Sequence, residues 1–584
     1  MDYNLNIEHK TSTKAALKKM LQFMKEEKRN LIIAFIVMAL NSSIAMLTPY
    51  LIGYTIDHYI QTKLYRGLLT FTGILLGLFI ISSVTDYLQT KIMGSIGQRM
   101  LYSLRNAVFN KIQSLPVAFF NQNKAGDLIS RINNDTDRVN QFFSQSLLQF
   151  VDSVFTMLGA AIFLLAIHVE LGAAALLPAV FILLFVKIIS PLVKKKNAAS
   201  LKSTGGLSAE IQESLGNFKT IIAFNRRDYF RNKFNTANSI NYKAAVGAGL
   251  VNTVFIPVFT FFSNIAQLIV LAFGIYLISI GNFSIGLLIS FIAYVTYFYQ
   301  PLRQLATLWA SFQTAMAAWD RISIILNLES DLPQKTEISS GNTSHASLLT
   351  FRHVSFQYPG GKKVLHDINF KLEQGRTYAF VGPTGGGKTT TASLIARLYD
   401  PTEGEVFLDG KDLKMYSPAD LSKKIGFILQ EPFLFNGTVC DNILYGNEAY
   451  KILDKEQLNK VLHEEGLEDL VNRFENGLET KIISGGDSMS LGEKQIIAFI
   501  RAVLRKPELL ILDEATANID TMTEKLLEEI LQKLPSSSTK VIIAHRLNTI
   551  ENADEIFFVN SGEVTAAGNF DNALQLLMEG KRAS

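Results

Sequence analysis

Six stretches of almost unbroken apolar residues dominate the first 310 positions of this chain of 584 residues. Each stretch approaches or exceeds the roughly 20 residues that a helix needs to cross about 30 Å of hydrocarbon. Buried helices of a soluble core are rarely apolar over such a length. The pattern predicts six membrane-spanning helices, at about residues 31–54, 67–88, 147–168, 171–190, 250–280 and 284–310.

The charges that flank these stretches predict their orientation. Lysine and arginine side chains crowd residues 14–29, before the first span, and residues 194–196, after the fourth, whereas the short connections 169–170 and 281–283 contain neither. Basic flanks stay on the cytoplasmic side, so the segment before the first span and everything after the sixth should be cytoplasmic. Charged helical patterns in the two longest connections predict that the spans continue as helices into the cytoplasm.

A few polar residues interrupt the predicted spans, among them Asn41, Asp152, Asn264 and Gln267. Such residues line a transport pathway in some membrane proteins and form hydrogen bonds between helices in others. Both interpretations stay open, and interhelical bonds are favoured for the amides.

Composition changes near residue 350, after the polar, serine-rich segment 329–348. The whole chain is 48% hydrophobic and 18% charged, below the roughly 25% charged residues of soluble domains, but the last third has ordinary charge. This indicates a membrane domain over 1–328, a linker, and a soluble domain over 349–584. A net charge of +4 gives no reason to expect a nucleic-acid partner, and the single cysteine, Cys440, excludes a disulfide framework.

The soluble part contains a phosphate-binding motif in TYAFVGPTGGGKTTTASLIARL, residues 377–398. An apolar strand, a loop that fits G-x-x-x-x-G-K-[ST] and a helix follow one another as this motif requires. Backbone N–H groups and the helix N-terminus bind phosphates, while Lys388 reaches the terminal phosphates and the Thr389 hydroxyl binds Mg²⁺. The predicted nucleotide-binding residues are Gly382, Pro383, Thr384, Gly385, Gly386, Gly387, Lys388, Thr389 and Thr390. The predicted fold is therefore an α-helical membrane domain of six helices followed by a cytoplasmic α/β P-loop ATPase domain.

Two further apolar strands end in residues suited to ATP hydrolysis. LLILDEATANID, residues 509–520, places Asp513 where it can hold Mg²⁺ and Glu514 where it can accept a proton from the attacking water. VIIAHRLNTI, residues 541–550, ends near His545, which beside a phosphate site can contact the γ-phosphate. ATP and Mg²⁺ are the predicted cofactors, with Glu514 and His545 as the catalytic residues.

With these motifs, the chain resembles an ATP-binding cassette (ABC) exporter, specifically a half-transporter. The segments FFNQNKAGDLISRINNDTDRV (119–139) and ESLGNFKTIIAFNRRDYF (213–230) are similar to the family's two intracellular loops, and YFYQPLRQL (297–305) to the end of its sixth span. The resemblance implies that Tyr358 stacks on adenine and that Gln430 senses Mg²⁺. It also implies two ATP molecules sandwiched between two cassettes, each bound by the phosphate loop of one and the signature of the other, so that this chain must dimerise.

The signature itself departs from the family pattern. In SMSLGEKQ, residues 488–495, Ser490 and Gly492 match Leu-Ser-Gly-Gly-Gln, but Leu491 replaces its first glycine and Glu493 its glutamine. Upstream, Ile483–Ser484 stand where the family has Gly-Glu. These changes affect the site of the ATP that the partner's phosphate loop binds. The residues that contact the ATP bound by this chain's own phosphate loop match the family pattern. The pattern predicts a heterodimer with a second half-transporter and one degenerate site, with a homodimer that tolerates a variant signature as the alternative.

The predicted function is ATP-driven export of small amphipathic or hydrophobic compounds, drugs or lipids, by alternating access across the lipid bilayer. Alternatives are a peptide exporter and an ATP-regulated membrane ATPase that does not transport. Because the first residues lack an Arg- and Ser-rich transit pattern, a multi-pass protein of the bacterial plasma membrane is favoured over an organellar one.

Overall fold

A computed structural model of the chain describes residues 3, 5, 13–23, 25–329, 347–447, 450, 453–483, 489–513, 521–543 and 551–580. They form two compact units. The membrane unit comprises Ile7–Gln113 and Gly126–Asn327, and the cassette unit comprises Met1–Asn6, Ser114–Ala125 and Leu328–Ser584. The cassette unit therefore includes a segment that the chain sequence places between its second and third spans. Most of the predicted linker, residues 330–346, lies outside the described residues.

The described part of the membrane unit is helical. Six segments have the length and apolar composition to cross a membrane: Lys28–Ile60, Tyr65–Gln113, Ala125–Ile167, Val169–Gly216, Arg227–Ser279 and Ile285–Leu302. The prediction of six membrane helices is confirmed. The α-helices of this half of the chain are α1 (Thr13–Gln22), α2 (Lys28–Thr55), α3 (Tyr65–Gln113), α4 (Val117–Gln122, in the cassette unit), α5 (Ala125–Ser130), α6 (Thr136–Gln141), α7 (Leu147–Ile167), α8 (Val169–Gly216), α9 (Phe218–Ala223), α10 (Arg227–Thr253), α11 (Phe255–Ser279) and α12 (Ile285–Asn327).

Several of these helices run far beyond their apolar stretches, as the charged patterns predicted. Helix α3 has 49 residues and α8 has 48, so each is about 70 Å long at 1.5 Å per residue. Where helices meet inside the unit, the alanines Ala160, Ala175 and Ala266 are fully buried, and small residues allow such close approach.

Two of the intramembrane amides join helices, which confirms the interhelical interpretation for them. Asn41 Nδ2 on α2 donates to Asp86 Oδ1 on α3 at 2.6 Å, and Gln267 Nε2 on α11 donates to Thr296 Oγ1 on α12 at 3.2 Å.

The cassette unit combines two larger sheets with surrounding helices. Its strands are β1 (Leu349–Gln357), β2 (Lys363–Leu372), β3 (Thr377–Val381), β4 (Glu403–Leu408), β5 (Lys411–Asp412), β6 (Ile425–Ile428), β7 (Gly437–Thr438), β8 (Lys481–Ile482), β9 (Leu509–Asp513), β10 (Thr539–Ile543), β11 (Glu555–Asn560) and β12 (Glu563–Gly568). Its later helices are α13 (Lys388–Ile395), α14 (Pro418–Lys424), α15 (Val439–Leu444), α16 (Lys455–Glu464), α17 (Glu468–Val471), α18 (Leu491–Val503), α19 (Thr521–Lys533) and α20 (Phe570–Gly580).

The six-stranded sheet has the order β12-β11-β3-β10-β9-β6, and its strands from β11 to β6 pair in parallel. The strands β3, β9 and β10 are nearly all apolar because helices cover both faces of such a sheet. In the register, Ile543 pairs with both Phe380 and Asp513, so the carboxyl ends of the three strands lie side by side. Ligands bind at this edge of open α/β sheets.

Within the cassette unit, the segment around α4 contacts Tyr3 near the N-terminus. Tyr3, which is 1% exposed, donates its backbone N–H to Gln122 Oε1 at 2.8 Å, and Asn123 Nδ2 donates to the Tyr3 carbonyl at 2.9 Å. The Tyr3 and Phe119 rings meet edge to face at 6.2 Å. Residues far apart in sequence thus hold α4 in one small hydrogen-bonded cluster.

Candidate nucleotide site

The phosphate loop lies between β3 and α13, as the motif predicted. Gly382, Gly385 and Gly387 have φ values of +145°, +83° and +116°, a region that glycine occupies readily and other residues rarely. A Cβ at Gly382 would lie 2.0 Å from the Val559 carbonyl oxygen of β11. The loop is therefore closed down on the neighbouring strand and leaves no room for a side chain there.

Replacing Gly382 by alanine is expected to weaken ATP binding by at least about tenfold, because strained backbone of this kind costs about 1–3 kcal/mol before the clash is added. Titration with a fluorescent ATP analogue measures the effect. Gly385→Ala is the matched control, since φ is also positive there but a Cβ meets no atom within 4 Å. Equal losses in the two variants would contradict the role of the close approach.

The loop holds the lysine that should meet phosphate. Lys388 is 5% exposed, and its Nζ donates to the carbonyl oxygens of Gly382 at 2.9 Å and Pro383 at 3.0 Å. One residue on, Thr389 Oγ1 donates to Asp513 Oδ1 at 3.4 Å. The structure therefore brings Thr389 and Asp513 together at the carboxyl edge of the sheet. A hydroxyl and a carboxylate are the hard oxygen ligands that Mg²⁺ takes, so these residues fit the predicted ion.

Tyr358 is half-buried beside the same loop. Its ring meets Phe356 at 4.8 Å and Tyr399 at 5.2 Å, both edge to face. Its hydroxyl lies 3.1 Å from Thr390 Oγ1 in the first turn of α13. These contacts fix the tyrosine relative to the phosphate loop, as an aromatic platform for adenine requires.

Tyr399 is a residue that the sequence analysis missed. Asn121 Nδ2 of α4 donates to its hydroxyl oxygen at 2.6 Å, and burial raises the pKa of the Tyr399 phenol, which stays protonated. A cavity of about 310 Å³ opens beside it, lined by Pro116, Tyr358 and Tyr399 among others. Little in the sequence indicates that Tyr399 lies at the site, because aromatic residues after a helix are common in protein cores.

Gln430 follows the short strand β6, and its backbone carbonyl oxygen accepts a hydrogen bond from α18, the helix that begins within the signature. Gln495 Nε2 on α18 donates to the Gln430 carbonyl oxygen at 3.4 Å, and Gln495 is 1% exposed. This contact was also missed. The sequence indicates such a contact only by placing Gln495 directly before the apolar run IIAFI, because a buried amide beside such a run needs a hydrogen-bond partner.

The altered signature forms a capping box at the start of α18. Ser490 Oγ accepts from the backbone N–H of Glu493 at 3.2 Å, and the Glu493 carboxylate accepts from the Ser490 N–H at 2.7 Å and from its hydroxyl at 2.9 Å. Leu491 is the first residue of the helix, and Gly492 is the second. The Glu493 carboxylate therefore occupies the helix N-terminus, where the partial positive charge of the backbone is concentrated.

Several predicted site residues lie outside the described residues. They include both predicted catalytic groups, Glu514 and His545, and Ser484 in the segment before the signature. Their roles stay predictions from the sequence. Thr384 and Gly386 are described and lie in the loop, where a Cβ at Gly386 would approach the Val559 carbonyl oxygen to 2.5 Å.

Comparison with protein families matches both halves of the chain. The ABC transporter transmembrane region matches residues 31–302, and the ABC transporter family model matches residues 365–517. An ABC transporter ATP-binding protein of Bacillus subtilis, YfiC, is 33% identical over 567 residues, which cover 96% of this chain and 92% of the relative.

Two other relatives are named for what they transport. A fatty acid ABC transporter ATP-binding/permease protein of Mycobacterium bovis is 32% identical over 85% of this chain and 77% of its own length. A multidrug resistance ABC transporter ATP-binding and permease protein of Lactococcus lactis is 29% identical over 85% of this chain and 83% of its own. The structure of a bacterial Atm1-family ABC exporter with ATP bound has the same fold, with a TM-score of 0.79, 22% identity, and coverage of 95% of this chain and 98% of that one.

Proposed function

We propose that this chain, which belongs to the ABC transporter family and is an ATP-driven exporter of the bacterial cell membrane with a cytoplasmic ATPase domain, is one half of an asymmetric heterodimer. In this proposal, the chain's own phosphate loop builds the competent ATP site together with the partner's signature. The chain's signature contributes to a second site that binds ATP and hydrolyses it poorly. The negatively charged Glu493 carboxylate, held at the N-terminus of α18 by its hydrogen bonds with Ser490, is the observation that carries the proposal.

The capping box engages the groups that would contact a phosphate across the dimer. A serine hydroxyl has one hydrogen to donate, and the Ser490 hydroxyl donates it to the Glu493 carboxylate. A helix N-terminus binds phosphate through free N–H groups and its positive end, but here a carboxylate already takes that place. Two negative charges at 4 Å repel by about 1 kcal/mol in water and about 4 kcal/mol near a protein surface. The half-buried Leu491 side chain adds bulk where backbone should approach the phosphate.

In this proposal, the chain's own phosphate loop and the aromatic residue beside it bind the ATP that the chain hydrolyses. Lys388 is directed into its loop, and Tyr358 is fixed by its ring contacts. In the proposal, Thr389, Gln430 and Asp513 hold Mg²⁺, which neutralises the developing charge on the phosphates. Glu514 then accepts a proton from the attacking water, and His545 contacts the γ-phosphate. Cassette closure and hydrolysis drive the membrane helices through alternating access.

The proposed substrates are small amphipathic or hydrophobic compounds. Two relatives are named for fatty acid transport and for multidrug resistance, and both fatty acids and hydrophobic drugs partition into a bilayer. Drugs and lipids therefore define the class that we propose for this chain.

Expression of the chain alone and together with candidate half-transporters tests the asymmetric assembly. The partner should carry an intact signature and a weakened catalytic carboxylate. We expect the purified chain alone to hydrolyse ATP at least about tenfold more slowly than the heterodimer, as a loss of about 1.4 kcal/mol or more of transition-state stabilisation in each site would produce. A homodimer with full ATPase activity that Glu514→Gln abolishes would contradict the proposal.

A further inference from the structure

Two carboxylates lie within the helices that cross the membrane. Asp86 is on α3 and Asp152 is on α7, and both approach the same turn of α2. Asn41 donates to Asp86 Oδ1 at 2.6 Å, and the neighbouring Ser42 Oγ donates to Asp152 Oδ1 at 3.2 Å. Because Asn41 and Ser42 are consecutive residues, the two carboxylates bind adjacent positions of α2.

The hydrogen bonds to these groups come from neutral side chains. Asn41 Oδ1 in turn accepts from Ser82 Oγ at 2.8 Å and from Thr85 Oγ1 at 3.1 Å, so the amide is fixed with its donor toward Asp86. Within the part of the chain that the structure describes, no Lys, Arg or His forms an ion pair with either carboxylate, and each accepts one hydrogen bond. An ionised carboxylate has about four acceptor positions, so most of this capacity is open.

Asn41 places the cluster near the middle of the membrane. Asn41 is roughly ten residues beyond the start of the first apolar stretch, which is about 15 Å along a helix. Ionisable groups at such depth are costly in lipid and face a protein interior or a water-filled cavity. Asp86 is exposed in this half-transporter, and the cost of a carboxylate in lipid favours an orientation toward the transport pathway or the second half.

A buried acceptor one turn away provides an independent indication of a ligand. Gln89 is 7% exposed, and its Oε1 has no hydrogen-bond partner among the described residues. Helical side chains lean toward the N-terminus of their helix, so Gln89 leans toward Thr85 and Asp86 in the preceding turn. A buried oxygen without a donor is unfavourable, and a ligand that supplies an N–H group would satisfy it.

We propose that Asp86, Asp152 and Gln89 form a binding site for the protonated amine of an amphipathic substrate. A primary ammonium has three N–H donors and one positive charge. The site offers three acceptor groups, two of which are carboxyl groups that can carry a negative charge, with apolar helices around them for the hydrocarbon part of the substrate. This inference rests on the proposed export of amphipathic compounds and narrows it to amines.

Binding of a matched pair of probes to the assembled transporter in zwitterionic lipid nanodiscs tests the site. One probe is a dansyl sulfonamide whose alkyl chain ends in a primary ammonium, and the other is its uncharged N-acetyl analogue. We expect the ammonium probe to bind at least about tenfold more tightly than the analogue, as one charge-assisted hydrogen bond implies. Asp86→Asn, Asp152→Asn and Gln89→Leu should each remove most of that preference.

The controls separate this site from general effects. Asp228→Asn removes a carboxylate whose side chain is 89% exposed outside the spans, and should leave the preference unchanged. ATPase stimulation by both probes is measured in parallel. If the analogue binds and stimulates as well as the ammonium probe, or if the Asn variants keep the preference, the amine site is overturned while export of amphipathic compounds stands. If neither probe binds nor stimulates, the amine site fails and the proposed substrate class fails with it.

Discussion

Restoring the family signature with the double substitution Leu491→Gly and Glu493→Gln should raise the ATPase activity of the chain expressed alone by about five- to a thousandfold. The range corresponds to removing roughly 1–4 kcal/mol of repulsion between the Glu493 carboxylate and the phosphates. The glycine also frees the backbone for close approach. Steady-state ATPase of the purified chain in nanodiscs measures the gain.

The design keeps the fold intact while it changes the charge. Glutamine at position 493 still completes a capping box with Ser490, whereas glycine at 491 costs about 1 kcal/mol of helix stability. Melting temperatures of both single variants separate stability from activity. An unchanged rate in a well-folded double variant would show that the signature does not limit turnover, and the degenerate-site hypothesis would then fail.

Substituting Glu514 by glutamine should reduce ATP hydrolysis by the heterodimer by about a hundredfold or more, because a positioned general base contributes about 10²–10⁴ to the rate. Affinity for ATP should change little, since the phosphate loop and Tyr358 are untouched. Single-turnover hydrolysis and ATP binding measured on the same preparation distinguish the two effects.

The same substitution tests which chain carries the active site. The partner's equivalent substitution should have little effect, because that residue acts on the site with the altered signature. Glu529→Gln removes an exposed carboxylate of α19 and serves as the control for charge. Equal losses from Glu514→Gln and from the partner substitution would mean two equivalent sites, and the asymmetry would be wrong.

Much of the architecture was predictable because it depends on local patterns. Long apolar runs specify membrane helices, and a strand, a glycine-rich loop and a helix in succession specify the phosphate loop with Lys388 and Thr389. The sequence assigned Thr389 and Asp513 to the same Mg²⁺ ion, and the structure places the two side chains within hydrogen-bond distance.

Contacts between distant segments were not predictable, because nothing in the local sequence names the partner. Asn121 forms a hydrogen bond with Tyr399, 278 positions away in the chain. Asn41 forms one with Asp86 on the next helix, and the sequence around Asn41 does not indicate which residue it contacts. The capping box was different in kind. SMSLGEKQ contains the serine and the glutamate of a capping box. The resemblance to the family indicated the loss of a glycine and a glutamine, but it did not indicate the hydrogen bonds between Ser490 and Glu493.

The participation of α4 and Tyr3 in the cassette unit has a practical consequence for experiments with truncated protein. A fragment that starts at the linker would omit Asn121, Phe119 and Tyr3, leaving the Tyr399 hydroxyl and the adjoining 310 Å³ cavity open to water. Nucleotide affinities measured on such a fragment would describe a domain that lacks part of the lining of this cavity. Biochemistry on the uncut polypeptide in lipid is therefore the appropriate reference for this exporter.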